Sequence, residues 1–175
     1  MQSNHIITGQ APPDSCGNYT PTTKTNNDLI EQWYLNPLRK MKDHEAFVCL
    51  SICFILYEKL LRYQGKIGDD ENFSSGRPVF DTMGSSLRVS REVAYEIWSH
   101  WRNGLLHKAM PAADSKIKFA LDRLDRSENR IVLVQENHIT IDPWGFREFV
   151  IHSIEANKAV WKDKDYPLLQ EMRQM

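Results

Sequence analysis

An uncharged apolar run in the first third of the chain limits the folds that this sequence can adopt. The run extends from Ala46 to Tyr57, and Asp43 is a suitable N-cap for a helix that continues to about Tyr63. The middle of this helix is apolar on nearly every side, as in a helix surrounded by others. The run is shorter than the ~20 residues that span a bilayer. We therefore expect it to form the centre of a helical bundle, with no membrane span.

Further segments carry helical periodicity or helix-start signals around this central helix. They extend from Asn27 to about Leu38, Pro78 to Leu87, Arg91 to about Lys108, and Pro143 to about Asp163. Asn27 and Ser90 are expected to cap the helices that follow them, and Pro37 is expected to break or kink the first one. Asp142 followed by Pro143 predicts the start of the last helix.

Between the last two long helices the apolar pattern changes from helical to alternating. Such alternation occurs at Lys116–Leu121 and His138–Ile141, and Ile131–Val134 is rich in β-branched residues. This pattern predicts two or three short antiparallel strands, with a turn at Gln135–Asn137 in which Asn137 tolerates a positive φ. The predicted fold class is therefore mainly α, an antiparallel helical bundle with a small antiparallel β insertion at about residues 116–141.

The 175 residues fit a single domain. Residues 1–25 are rich in Thr, Asn, Pro and Gly and lack the apolar core of a secretory signal, so we expect a disordered or loosely ordered tail before one domain at 26–175. The three cysteines do not form a disulfide framework, and Cys49 and Cys53 are expected to pack in the core. These features predict a cytoplasmic protein.

The charge of the chain is nearly balanced overall but not along its length. Its 22 Lys and Arg against 23 Asp and Glu give a net charge of −1, which argues against a protein that coats nucleic acid through a uniformly basic surface. Residues 88–130, however, hold nine Lys and Arg against six Asp and Glu, a net charge of +3. The sequence therefore leaves room for a local phosphate-binding site.

The helix predicted after Ser90 has two contrasting faces. Ala94, Ile97, Trp98, Trp101 and Leu105 form an apolar face, and Glu96, His100, Asn103 and His107 follow one another at spacings of four, three and four on the opposite face. A plain solvent-exposed face is one interpretation of these polar residues. The two histidines favour a site, because the ordinary pKa of His, about 6.5, suits proton transfer near neutral pH.

The segment Arg102-Asn103-x-x-x-His107 resembles the signature of the HEPN superfamily, in which an Arg is followed by a polar residue and, five positions after the Arg, by a His. Its place late in a bundle helix is similar as well. The resemblance covers about residues 27–110 and the last helix. It implies an antiparallel helical bundle that dimerises and a metal-independent endoribonuclease, with Arg102 and His107 as catalytic residues and Asn103 orienting them. Some toxins of the family carry a Tyr two residues after the His, where this chain has Ala109, so neutralisation by modification of that Tyr is not expected.

Cleavage by attack of a ribose 2′-hydroxyl needs proton transfer and positive charge on the phosphorane. His107 can transfer a proton, and Arg102 can bind the non-bridging oxygens. Residues five apart lie about 140° apart around an ideal helix. Either the helix is distorted or ends near Gly104, or the long Arg reaches round, or a two-fold interface brings two copies of the pair together. We favour the interface, because a homodimer supplies both acid and base from one motif.

Other polar residues are expected to have supporting roles. His100, Glu96 and Lys108 are candidate substrate-binding residues, and Glu96 can orient His100 one turn away. Glu58 either faces the bundle and holds Arg102 or lies exposed. A shared metal ion is not expected, because Glu96 and His107 lie about 16 Å apart along a helix. No cofactor motif is present in the sequence.

The sequence thus predicts a cytoplasmic, homodimeric endoribonuclease that binds RNA. A toxin or defence effector is the setting that the resemblance suggests, with an antitoxin or regulatory protein as a candidate partner. A non-catalytic HEPN-like module that binds RNA, a nucleotide or a protein is the alternative. An accidental motif in an unrelated helical domain is a third interpretation.

Overall fold

Helices dominate the structure, a computed structural model that describes residues 25–68, 71–74, 78–108, 118–125 and 130–161. Helix α1 comprises three consecutive stretches, Asn26–Ile30, Glu31–Leu35 and Asn36–Lys40; α2 is Ala46–Gly65, α3 is Val79–Leu87, α4 comprises Arg91–Glu96, Ile97–Arg102 and Asn103–Lys108, and α5 is Pro143–Ala156. The strands are β1 at Lys118–Leu121, β2 at Val132–Gln135 and β3 at His138–Ile141. The mainly helical class with a small sheet before the last helix is confirmed, and the predicted tail lies almost wholly outside the described residues.

Helix α1 passes through Pro37 instead of ending there. It is capped by Thr25, whose side chain accepts a hydrogen bond from the Asp28 amide, so the helix starts two residues earlier than the predicted Asn27 cap allows. The stretch before Pro37 is π-helical, and the Asn36 amide donates to the carbonyl of Glu31, five residues back. A proline ring clashes with the preceding turn of an ideal α-helix, and the wider turn gives it room.

Helix α2 lies at the centre of the molecule, as the apolar run predicted. It begins at Ala46 after a 3₁₀ turn at Asp43–Glu45, so Asp43 opens that turn rather than capping the helix. Its buried residues are Cys49, Leu50, Cys53, Phe54, Leu56, Tyr57, Leu60 and Leu61. Among the described residues, no helix combines the length and apolarity that crossing a membrane requires.

Helices α3 and α4 meet at a tight turn. Arg88 ends α3 in the left-handed conformation at φ 57°, and Ser90 caps α4 by accepting a hydrogen bond from the Val93 amide. A Cβ atom on Gly84 would lie 2.9 Å from the carbonyl oxygen of Val89, so the turn packs against a position that only glycine can occupy without a shift. The predicted cap at Ser90 and the end of α3 at Leu87 are both confirmed.

The sheet is mixed, which corrects the predicted antiparallel insertion. Its order is β1-β3-β2, with β3 antiparallel to β2 and parallel to β1. The β2–β3 hairpin turns at Glu136 and Asn137, and the positive φ belongs to Glu136, at 45°, rather than to Asn137. Strand directions alternate along the chain as predicted. Because β3 carries the buried Ile139 and Ile141, however, it occupies the centre, and the first strand pairs with it in parallel.

Helix α5 closes the domain against α2. Asp142 is buried, and its carboxylate accepts hydrogen bonds from the amides of Trp144 and Gly145, which confirms the predicted helix start at Pro143. The helix ends at Ala156 rather than near Asp163, and a 3₁₀ turn at Lys158–Trp161 follows it. The sheet therefore joins α5 directly through the capping residue.

Candidate active site at the groove between α2 and α4

Arg102 lies at the end of a π-helical stretch in α4. The Asn103 amide donates to the carbonyl of Trp98, five residues back, which is the hydrogen-bond pattern of a π-turn. Trp98 and Trp101 remain buried on the core side of this stretch, while the Arg102 side chain is 21% exposed and faces α2. Such wide turns are frequent at functional sites, and here the turn sets the direction of the predicted catalytic arginine.

Glu58 of α2 binds Arg102 from across the groove. Arg102 Nε donates to Glu58 Oε2 at 3.0 Å, and Nη2 donates to the same oxygen. The Glu58 side chain is only 13% exposed, a position in which a carboxylate is costly unless it is paired. Of the two placements that the sequence allowed for Glu58, the structure shows the one in which it faces the bundle and holds Arg102.

A second arginine, Arg62, binds the other oxygen of the same carboxylate. Its Nε and Nη2 donate to Glu58 Oε1 at 3.1 and 2.7 Å. Its Nη1 donates to the backbone carbonyls of Gly68 and Glu71 at 2.6 and 2.8 Å, which ties the chain after α2 to the groove. The cluster of Glu58, Arg62 and Arg102, called the arginine cluster below, carries a net charge of +1.

Two aromatic rings lie beneath the arginine cluster. The Arg102 guanidinium is 5.2 Å from the ring centre of Trp98, and that of Arg62 is 4.6 Å from the ring centre of Phe73. The two rings stack with their centres 4.7 Å apart. Each guanidinium therefore has an aromatic face on one side and Glu58 at its edge, which restricts its orientation.

Asn103 completes the contacts of Arg102. Arg102 Nη1 donates to Asn103 Oδ1 at 3.0 Å, so the polar residue after the arginine holds it as the sequence motif predicted. A guanidinium has five N–H donors, and the contacts with Glu58 and Asn103 use three of them. The remaining two are available for oxygens of a bound anion, as far as contacts among the described residues show.

Glu96 and His100 form a second polar pair on α4. Glu96 Oε2 and His100 Nε2 lie 3.0 Å apart, and the two side chains are 32% and 20% exposed. The predicted orientation of His100 by Glu96 is thus present in the structure. No three His, Cys, Asp or Glu side chains among the described residues lie close enough together to hold a metal ion.

His107 and Lys108 lie in the final α-helical stretch of α4, Asn103–Lys108, and their side chains lie outside the described residues. Because this stretch is α-helical, Arg102 and His107 remain about 140° apart around the axis. The helix does not end near Gly104, and its distortion precedes Arg102 rather than separating it from His107. That Arg102 and His107 act together in one catalytic site therefore stays a prediction.

Sequence reasoning missed Arg62, Phe73 and Trp98 as parts of this site. Glu58 and Arg62 are four residues apart on one predicted helix, a spacing that favours an ion pair, so Arg62 could have been found. Trp98 was assigned to the apolar face, which is correct for its burial and gives no indication of its contact with Arg102. Phe73 lies in a loop, where no periodicity reveals its position.

Comparisons with known proteins do not indicate a family or a function for this site. No protein-family model matches the chain, and neither the curated proteins nor the solved structures include a significant match. The resemblance to the HEPN superfamily therefore depends on the residues of α4 and on the helical setting in which they lie.

Proposed function

We propose that this protein is a metal-independent endoribonuclease of HEPN type. The observation that carries the proposal is the placement of Arg102, which is 21% exposed and held by Glu58 and Asn103, with two N–H donors that no contact among the described residues uses. A fixed guanidinium fork suits the non-bridging oxygens of a phosphate, to which it can donate two parallel hydrogen bonds. The substrate phosphate is expected to bind at the open edge of Arg102.

In the proposed reaction the ribose 2′-oxygen attacks the adjacent phosphorus and the bond to the 5′-oxygen of the next nucleotide breaks. One histidine accepts the 2′-hydroxyl proton, and another donates a proton to the leaving 5′-oxygen. His107 supplies one of these groups, typically contributing about 10²- to 10⁴-fold in rate. Arg102 stabilises the negative charge that develops on the phosphorane.

A homodimer supplies the second histidine in this scheme. Phe47, Val48 and Ile55 are large apolar side chains of α2 that are 43%, 54% and 45% exposed. At about 100° per residue they share one face of the helix with Glu58 and Arg62. Exposed apolar side chains clustered beside a charged site are typical of an interface. We propose that this face pairs with its copy and brings two grooves together.

Cleavage of labelled single-stranded RNA in the presence of EDTA tests the proposed function. We expect the wild-type protein to cleave and His107→Ala to lose about 10²-fold or more of the rate. Arg102→Lys should lose a similar factor, since a lysine keeps the charge but not the paired donors. His138→Ala is the matched control, because His138 is exposed on β3, and it should cleave normally. Loss of cleavage in EDTA, or full activity of His107→Ala, would contradict the proposal.

The groove also supports a second candidate function, a non-catalytic module that binds RNA. The arginine cluster and its aromatic rings provide charge and shape for a phosphate without any proton transfer. This candidate predicts binding that depends on Arg102 and no cleavage of any RNA by the wild-type protein. A role as a toxin or defence effector, with an antitoxin or regulatory protein as partner, belongs to the first candidate and rests on the same resemblance.

A further inference from the structure

A basic cleft lies immediately beside the arginine cluster, at the C-terminal end of α2. It has a volume of about 570 Å³ and is lined by Lys59, Arg62, Tyr63, Gln64, Lys66, Ile67 and Gly68. No acidic residue is among those lining it, and the Glu71 carboxylate at its edge accepts a hydrogen bond from the Gly68 amide at 3.2 Å. One cleft next to Arg88 and Arg130 is also lined by Asp142 and Glu148. A second cleft at the same two arginines has no acidic lining, but it has two basic residues instead of three and no aromatic ring. The cleft at the end of α2 therefore combines more positive charge with an aromatic side chain.

The cleft is connected to the candidate active site through Arg62. One edge of this guanidinium donates to Glu58, which holds Arg102, and Nη1 donates to the carbonyl of Gly68, which lines the cleft. Lys59 and Arg62 follow Glu58 on one side of α2 over about 6 Å of helix axis, and Lys66 comes directly after the end of the helix. The positive side chains therefore continue from the site along the helix without interruption by an acidic residue.

The end of the cleft has a defined backbone. Lys66 adopts the left-handed conformation at φ 51°, and the amide of Ile67 donates to the carbonyl of Arg62 at 2.9 Å. A Cβ atom on Gly65 would lie 3.0 Å from Ile67 Cδ1, so Ile67 packs closely on the last turn of α2. These contacts hold Ile67, which lines the cleft, against the last turn of α2.

Tyr63 adds an exposed aromatic ring to this basic lining. Its side chain is 42% exposed at the edge of the cleft. Proteins that bind single-stranded nucleic acid combine a basic groove with aromatic rings on which bases stack. A double helix, by contrast, keeps its bases stacked on one another and leaves none for Tyr63.

We propose that the basic cleft binds the single-stranded RNA that flanks the cleaved phosphate. This inference rests on the proposed function, which it extends by naming the form of the substrate. Lys59 and Lys66 bind backbone phosphates, and Tyr63 stacks on a base. Arg62 contacts the strand between the cleft and Arg102. The cleft binds RNA but holds no reacting group.

Binding can be separated from cleavage by using the full-length His107→Ala variant. The probe is a 5′-labelled oligouridine of 12 nucleotides, followed by fluorescence anisotropy. In this background Lys59→Glu with Lys66→Glu should weaken binding about 10-fold or more, whereas Lys40→Glu with Lys158→Glu should change it less than about 2-fold. The control pair makes the same change in net charge at exposed lysines outside the cleft.

Two further measurements use milder variants. The double variant Lys59→Ala with Lys66→Ala should reduce the magnitude of the slope of log K against log salt concentration by about 1.4. This is the value expected when two phosphate contacts to a single strand are lost. Tyr63→Ala should weaken binding at least 5-fold, and Tyr63→Phe should not. Equal weakening by the control pair, an unchanged salt dependence, or tighter binding of a matched RNA duplex would overturn the proposal.

The outcomes also distinguish this inference from the proposed function. If the lysine variants bind weakly while the wild-type protein fails to cleave RNA, the cleft proposal is supported and the catalytic proposal fails. If the wild-type protein cleaves and the lysine variants bind normally, the catalytic proposal stands and the cleft proposal fails.

Discussion

Helix α2 contacts its two main neighbours through opposite kinds of chemistry. Against α5 it packs aromatic rings, with the ring centres of Phe54 and Tyr57 at 5.0 and 5.6 Å from that of Phe146. Against α4 it places Glu58, which binds Arg102 and Arg62 in a partly exposed groove. The contact with α5 excludes water, whereas the contact with α4 leaves three charged side chains partly accessible to water. One helix thus provides both the core of the domain and one wall of its candidate site.

The difference shows which contact stabilises the fold and which directs a side chain. Burial of apolar rings gives a gain that does not depend on a partner of opposite charge. A half-buried ion pair offsets most of its attraction by loss of hydration, so the arginine cluster contributes little net stability. Its effect is to hold the Arg102 guanidinium in one orientation, which matters for binding a phosphate.

The largest expected effect is on the α5 side of α2. Phe54→Ala should lower the free energy of unfolding by about 3–5 kcal/mol, because it leaves a cavity beside Phe146. Phe47→Ala, on the α4 side, should cost less than about 1.5 kcal/mol, since Phe47 is 43% exposed and stacks on Trp101. Urea unfolding followed by tryptophan fluorescence measures both. Equal losses would show that the two sides of α2 contribute equally to stability.

An intermediate effect is expected on the α4 side. Glu58→Gln should lower the free energy of unfolding by about 1–3 kcal/mol, because two guanidinium groups lose their anion, and should lower kcat about 10- to 100-fold through misplacement of Arg102. Glu136→Gln, at an exposed position of the β2–β3 turn, is the control and should change neither value. Steady-state cleavage and urea unfolding separate the two effects. If kcat is unchanged in a folded Glu58→Gln protein, Glu58 does not position Arg102 for catalysis.

The smallest effect concerns alkaline pH. Burial raises the pKa of Tyr57 to about 12, above the value of about 10 for an exposed tyrosine. The neutral phenol therefore stabilises the folded state below pH 10, and this stability decreases as the pH rises from about 10 to 12. At pH 11 Tyr57→Phe should retain about 1 kcal/mol more of its neutral-pH stability than the wild-type protein does.

Tyr63→Phe is the control for this measurement, because it removes the same hydroxyl group from an exposed side chain. The free energy of unfolding in urea at pH 8 and pH 11 gives the comparison. The same pH dependence in wild type and Tyr57→Phe would mean that the phenol becomes hydrated before the protein unfolds.

Short-range signals in the sequence were sufficient for much of the fold. The caps at Ser90 and Asp142 were predicted correctly because each depends on a side chain and amides two or three residues away. The spatial order of the strands was not predictable in this way, since it depends on which strand has two neighbours. Pro37 was expected to break or kink α1, and the helix does not break there, because a wider turn that no residue pattern indicates precedes the proline.

In the candidate site, too, contacts between residues close in sequence were predicted and contacts between distant residues were not. Glu96 as a partner of His100 was predicted from spacing on one helix, and Asn103 as a partner of Arg102 was implied by the resemblance to the HEPN superfamily. The contact between Glu58 and Arg102 joins residues 44 positions apart, and the sequence left it as one of two alternatives. Phe73 could not be placed, because a loop residue has no periodic face from which its direction follows.

The π-helical stretch of α4 holds one residue more than the corresponding turn of a regular α-helix. In a helix that stayed α-helical, an extra residue would rotate every later residue by about 100° around the axis. The wide turn absorbs the extra residue instead, so the residues on either side of Ile97–Arg102 keep the faces that they would have in a regular helix. A packed helix can in this way accept an added residue at one turn and change the direction of side chains there, while the rest of the helix keeps its contacts.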